Sequence, residues 1–152
     1  MLVAISKEFQ QRFIDLVDEI EEKNRAKRAE IMGISNTTYS NAYNYGIVPK
    51  ITSLIRIADY FNISVDYLVG NTEDEHFAKS NNPKTFSERL EELRKAKGIP
   101  TIYELAQQTH IHRNNIAQWL KHDYFPLLDD LVLLANFFGV SMDYLLGRSD
   151  DR

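Results

Sequence analysis

Two stretches of this 152-residue chain carry amide and basic side chains at spacings suited to reading nucleic-acid bases. They are "RAEIMGISNTTYSNAYNYG", which starts at Arg28, and "LAQQTHIHRNNIAQWLKHD", which starts at Leu105. If each contains a helix that buries Tyr39 and Ala42, or Ile116 and Trp119, the opposite face is defined. It holds Asn36, Thr37, Ser40, Asn41 and Asn44 in the first stretch, and Arg113, Asn114, Ala117, Gln118 and Lys121 in the second. Asn and Gln can each make two hydrogen bonds to adenine in the major groove, and Arg two to guanine. Plain solvated helix faces favour Lys and Glu instead.

Cations stand beside both stretches. Lys23, Arg25, Lys27 and Arg28 cluster at the start of the first, and Arg94, Lys95 and Lys97 precede the second. The formal net charge of −4 is the wrong sign for a partner of nucleic acid. Its distribution removes the objection. Residues 6–70 and 84–147 each carry −1, whereas residues 71–83 carry −2. Local distribution, not the total, governs the field at a binding face.

The chain says nearly everything twice. "NISVDYLVG" ends at Gly70 and "GVSMDYLLG" at Gly147, an offset of 77. At that offset Phe9 meets Phe86, Arg12 meets Arg89, Ala29 meets Ala106, Pro49 meets Pro126 and Phe61 meets Phe138, with no gap from Phe9 to Asp74. A tandem repeat is expected, with domains at 1–71 and 85–152 and a polar linker at 72–84.

Apolar spacing within each copy is helical. Phe9, Phe13, Leu16, Val17 and Ile20 form one stripe; Phe86, Leu90 and Leu93 form its counterpart. Helices are predicted at 6–23 and 85–97, then 25–32 and 101–109, then 35–45 and 112–122. A fourth should turn Leu54, Ala58 and Phe61 inward, or Leu131, Ala135 and Phe138. Thr85 and Glu88 read as a capping box. Ser64 and Ser141 read as N-caps of a last short helix, which ends at Gly70 or Gly147. Gly33 marks a left-handed turn, and His110 takes its place in the second copy.

Both copies resemble the lambda-repressor-like (Cro/cI, XRE-type) helix-turn-helix family, on "EIMGISNTTYSNAYNYG", "LIRIADYFNISVDYLVG" and "ELAQQTHIHRNNIAQWL". The resemblance implies an all-α fold of two tandem five-helix bundles, in which the third helix of each enters the major groove. It also implies a sequence-specific regulator of transcription, a repressor of phage or bacterial type, with double-stranded DNA as partner. The base-reading positions become Asn36, Thr37 and Asn41, then Arg113, Asn114 and Gln118. Phosphate contacts fall to Arg25, Lys27, Ser35 and Asn44, then to Lys95, Lys97 and Lys121. Two departures stand out. Where the family often grips phosphate with Gln, this chain has Arg25 and Ile102, and Arg28 stands where Leu105 supplies the expected apolar residue. Arg28 must therefore snorkel or reorganise its packing.

Other chemistries find little support. His110, His112 and His122 do not share a helix face and have no cysteine or close carboxylate beside them, so no metal site is expected. "DLVDEIEE" (Asp15–Glu22) and Asp129–Asp130 read as solvated faces without a nucleophile or phosphate loop, so neither an enzyme, a cofactor nor a small-molecule ligand is expected. The absence of cysteine suits the cytosol. "MLVAIS" lacks the features of a signal peptide, and no apolar run approaches a membrane span. A homodimer stays open. So does a scaffold of the same fold that has lost DNA binding and uses Tyr43, Tyr45, Ile47 and Val48, or Tyr124 and Phe125, as a protein-contact patch.

Overall fold

Helix starts are chemically marked along most of the chain. Ser6, Asn24, Ser35 and Ser64, and later Thr85, Thr101, His112 and Ser141, each accept a hydrogen bond from a first-turn N–H. Those donors have no partner inside the helix, so each such cap contributes about 1 kcal/mol. The computed structural model describes residues 4–152. They contain α1 (Lys7–Asp18), α2 (Arg25–Met32), α3 (Asn36–Tyr45), α4 (Ile51–Phe61) and α5 (Val65–Leu68). Then follow α6 (Phe86–Ala96), α7 (Ile102–Thr109), α8 (Arg113–His122), α9 (Leu128–Phe138) and α10 (Met142–Leu145). The described residues are all-helical apart from one antiparallel bridge, Ile5 to Ile47. None of these helices is long and apolar enough to cross a membrane.

The chain divides into two compact units, with the boundary in sequence between Phe77 and Ala78. In the first, Phe9, Phe13 and Val17 of α1 lie buried with Tyr39 and Ala42 of α3 and Leu54, Ile57 and Ala58 of α4. Phe13 meets the edge of Tyr39 with ring centroids 5.4 Å apart. In the second, Leu90, Leu93, Leu105, Ile116, Trp119, Leu131 and Leu134 fill the core, and Phe86 meets the edge of Trp119 at 5.8 Å. The capping box at Thr85 and Glu88 is formed as expected.

One arginine in each unit, Arg12 half-buried and Arg89 buried, ties the first helix to the last. Arg12 lies 4.2 Å above the Tyr67 ring, donates to the Tyr67 carbonyl and to the Thr72 carbonyl at 2.8 Å, and pairs with Glu73. Arg89 lies 4.0 Å above the Tyr144 ring and pairs with Asp150 at 2.8 Å.

Several expectations need correction. α1 stops at Asp18, not near residue 23. Asp18, Glu19, Glu21 and Glu22 crowd the negative end of its dipole, and Lys23 Nζ caps it instead through the Asp18 and Ile20 carbonyls. Leu16 and Ile20 are only half-buried. Phe61 and Phe138 are half-buried as well; Ile57 and Leu134, one turn earlier, take the core positions. Within the stretch 72–84, expected as a polar linker, two ties to the units form. Tyr67 donates to Glu75, and Ser80 N–H donates to the Arg148 carbonyl while Ser80 Oγ bonds Asp150.

Gly98 and Gly147 both adopt φ of +76°, yet their surroundings differ. A Cβ on Gly98 meets nothing within 4 Å, whereas one on Gly147 collides with the Lys84 backbone. Gly98→Ala should cost only the left-handed strain, about 1–2 kcal/mol. Gly147→Ala should cost clearly more. Equal losses in urea melts of the two variants would contradict this packing.

Candidate nucleic-acid interface

The turn between the second and third helices has the same construction in both units. Gly33 (φ +77°) and His110 (φ +60°) end α2 and α7 in the left-handed region, and the following Ile34 and Ile111 are buried. Ser35 then caps α3: its Oγ accepts from Thr38 N–H at 3.0 Å and donates to Thr38 Oγ1 at 2.8 Å. His112 caps α8, its Nδ1 accepting from Asn114 N–H at 3.2 Å. That bond requires an imidazole without a proton on Nδ1.

Burial of Tyr39 and Ala42 turns Asn36, Thr37 and Asn44 fully outward on α3, while Asn41 is half-buried. Burial of Ile116 and Trp119 does the same for Arg113, Asn114, Gln118 and Lys121 on α8, all exposed. Asn115 and Ala117 are exposed there too. An open depression of 650 Å³ runs beside the start of α8, lined by Tyr103, Gln107 and residues His110–Asn114. Gln107 Nε2 donates to the Tyr103 hydroxyl at 2.9 Å. Sequence reasoning missed this pair, because Ala26 and Glu30 occupy those places in the 77-residue register of the first unit.

The cation clusters separate on inspection. Arg25 reaches α3: its guanidinium lies 4.4 Å over the Tyr43 ring and donates to Asn44 Oδ1 at 3.2 Å, which brings two of the expected phosphate contacts together. Lys27 is exposed, with Glu22 at 3.6 Å. Lys95 is exposed; Lys97 lies 4.8 Å from the Phe137 ring, at the end of α9. Lys23 and Arg94 serve other ends, the latter through Glu91 and the Ile99 carbonyl.

Arg28 does not snorkel. It is 5% exposed and donates to the Glu22 carbonyl (2.6 Å), Asp18 Oδ1 (3.3 Å) and the Tyr39 hydroxyl (3.1 Å). Asp18 also accepts from the Tyr43 hydroxyl at 3.0 Å, so it is no idle solvated carboxylate. A chain of contacts thus runs from Arg28 through Asp18 and Tyr43 to Arg25 and Asn44. One signal was available in the sequence: an arginine where the other unit has leucine at the 77-residue offset implies a buried acceptor.

Residues 87–150 match the family model of the helix-turn-helix domain. The second unit carries a helix-turn-helix domain. The chain is similar to the uncharacterized HTH-type transcriptional regulator YobD of Bacillus subtilis (strain 168), 38% identical over 66 residues, which cover 43% of this chain and 58% of that protein. It is similar to the HTH-type transcriptional activator BcrR of Enterococcus faecalis, 34% identical over 43% of this chain and 31% of that protein. The HTH-type transcriptional regulator ImmR of Bacillus subtilis (strain 168) is 35% identical over 43% of this chain and 51% of its own length. The chain thus spans between 31% and 58% of these relatives. No solved structure matches it significantly.

The Tyr43 phenol is held above its ordinary value of 10.0, chiefly by its hydrogen bond to Asp18 and also by burial. A folded-state pKa above the unfolded one contributes stability that is fully present below pH 10 and lost as pH rises through the folded value. Alkaline titration of the unfolding midpoint should therefore fall more steeply for the native chain than for Tyr43→Phe. Identical alkaline limbs would remove this bond from the account.

Proposed function

We propose that the chain is a sequence-specific regulator of transcription that reads double-stranded DNA with α3 and α8. The observation that carries this is the exposed face of α8, with Arg113, Asn114 and Gln118 outward within a matched helix-turn-helix domain. In this reading Asn36, Thr37 and Asn41, and Arg113, Asn114 and Gln118, meet base edges. Arg25, Lys27, Ser35 and Asn44, with Lys95, Lys97 and Lys121, meet phosphates. The first unit is a second copy of the same domain, supported by the 77-residue register and by the shared turn at Gly33 and His110. The regulator acts as a repressor by occupying its site.

A second reading, in which one unit has turned to protein contact, draws on the second unit. There Ile102 replaces Arg25, and Asp123, Asp129 and Asp130 follow the reading helix closely in sequence. Selection of bound duplexes from a random library, followed by a salt series, separates the two readings. DNA binding should weaken with a log–log slope of about −0.9 for each phosphate neutralised. Arg113→Ala should relax preference at one base pair and cost about 1–3 kcal/mol, whereas Arg25→Ala should weaken all duplexes alike and flatten the slope by about one. If no duplex is enriched, protein contact replaces DNA as the function.

Two unlike reading faces on one chain imply an asymmetric site. Ordinary members of the resembled family dimerise on half-sites about 34 Å apart. Here a single chain can occupy two dissimilar half-sites, aided by the effective concentration that a tether supplies. Sedimentation on a selected duplex should give one chain per site. Two chains on a palindrome, each bound through the same unit, would refute this.

A further inference from the structure

The loop after the third helix is closed in one unit and open in the other. In the first unit, residues 4–6 run antiparallel to Gly46–Val48. Ser6 N–H donates to the Gly46 carbonyl at 2.9 Å, and Val48 N–H donates to the Ala4 carbonyl at 2.9 Å. This covers Ile47 and Val48, which are only half-exposed. It thus engages two residues of the contact patch expected there from sequence, while Tyr45 stays 64% exposed.

The second unit has the same loop without its cover. Asp123 repeats the left-handed backbone of Gly46, φ +54° against +69°. Its carbonyl and the Phe125 N–H correspond to the paired groups Gly46 O and Val48 N. Among the described residues, neither takes part in a backbone hydrogen bond. The chemical reason lies in the leading segment. Pro83 stands where Ser6 supplies its N–H, and proline has none to give. Asn82 stands where Ile5 bridges Ile47. Ser80 is instead drawn to the Arg148 carbonyl. Consequently Tyr124 is 57% exposed and Phe125 37%.

Asp123, Asp129 and Asp130 cluster in the same short stretch of chain, and none forms an ion pair among the described residues. Burial and the neighbouring Asp129 push the Asp130 carboxyl up from its ordinary value. Two such loops facing each other would set like charges together, which disfavours a second copy as the cover. An extended segment with an apolar residue opposite Tyr124 and a flanking cation suits both the open edge and its charge.

We propose that the loop Asp123–Leu127 is a docking edge for an extended, apolar and basic peptide segment of a partner protein, added as a short antiparallel strand. This is the main-chain mode in which backbone bonds give affinity and alternate side chains give selectivity. It does not depend on DNA binding by either unit.

The chain contains its own probe. A synthetic peptide of residues 2–7, Leu-Val-Ala-Ile-Ser-Lys, should bind the full chain saturably, as read by line shifts confined to Asp123–Leu127. The same peptide with its lysine replaced by glutamate should bind about tenfold more weakly. The triple change Asn81→Ala, Asn82→Ile and Pro83→Ser should close the edge from within, abolish binding and slow hydrogen exchange at the Phe125 amide. No saturable shift in the native chain would overturn the proposal, and so would equal binding by the triple variant. Concentration-dependent dimers of the native chain that vanish in the triple variant would overturn it in favour of a second copy.

Discussion

Everything at the candidate interface depends on which side of the third helix is buried. A helix turns about 100° per residue, so two inward positions three apart fix the remaining faces. In the first unit those positions are Tyr39 and Ala42; in the second they are Ile116 and Trp119, all 6% exposed or less. The left-handed residue before each helix, Gly33 or His110, sets the angle of entry. The cap at Ser35 or His112 sets the first residue free to point outward. A change in any of these three would rotate or shift the outward side chains without touching them.

The pattern that lies on single helices was legible in the sequence. Apolar spacing placed α2, α3, α7 and α8 to within a residue or so, and Thr85 with Glu88 forms the box its spacing implied. What was not legible depended on contacts between residues far apart. The premature end of α1 follows from crowded carboxylates and from Arg28, ten residues on, which claims Asp18 and the Glu22 carbonyl. Phe61 and Phe138 look like core residues by type, but they lie at the last position of their helices, where the next turn leaves them half-covered. Of the cations near the candidate site, spacing alone could not separate Arg25, which reaches Asn44, from Arg28 and Arg94, which turn to internal carbonyls. Likewise no local pattern announced that residues 4–6 would pair with a loop forty residues later.

The two units solve one packing problem by different chemistry. At the position before the small residue of the second helix, Leu105 fills apolar space, whereas Arg28 must satisfy a buried guanidinium. Removing one partner from a buried charge leaves the other uncompensated, so Arg28, Asp18, Tyr39 and Tyr43 are bound to vary together. That network has a consequence for the surface, because Tyr43 also supplies the ring on which Arg25 lies. Among the described residues the second unit shows no counterpart of this network. Its leucine packs without directional bonds, Ile102 offers no charge, and the helix start is lined instead by Tyr103, Gln107 and Arg113. In the proposed reading, polar packing in the first unit is therefore spent on holding a cation for phosphate. Apolar packing in the second leaves its polar groups for base edges. Under that proposal of two copies, a single buried substitution changes which surface residue is held still, and the exposed face follows from the core.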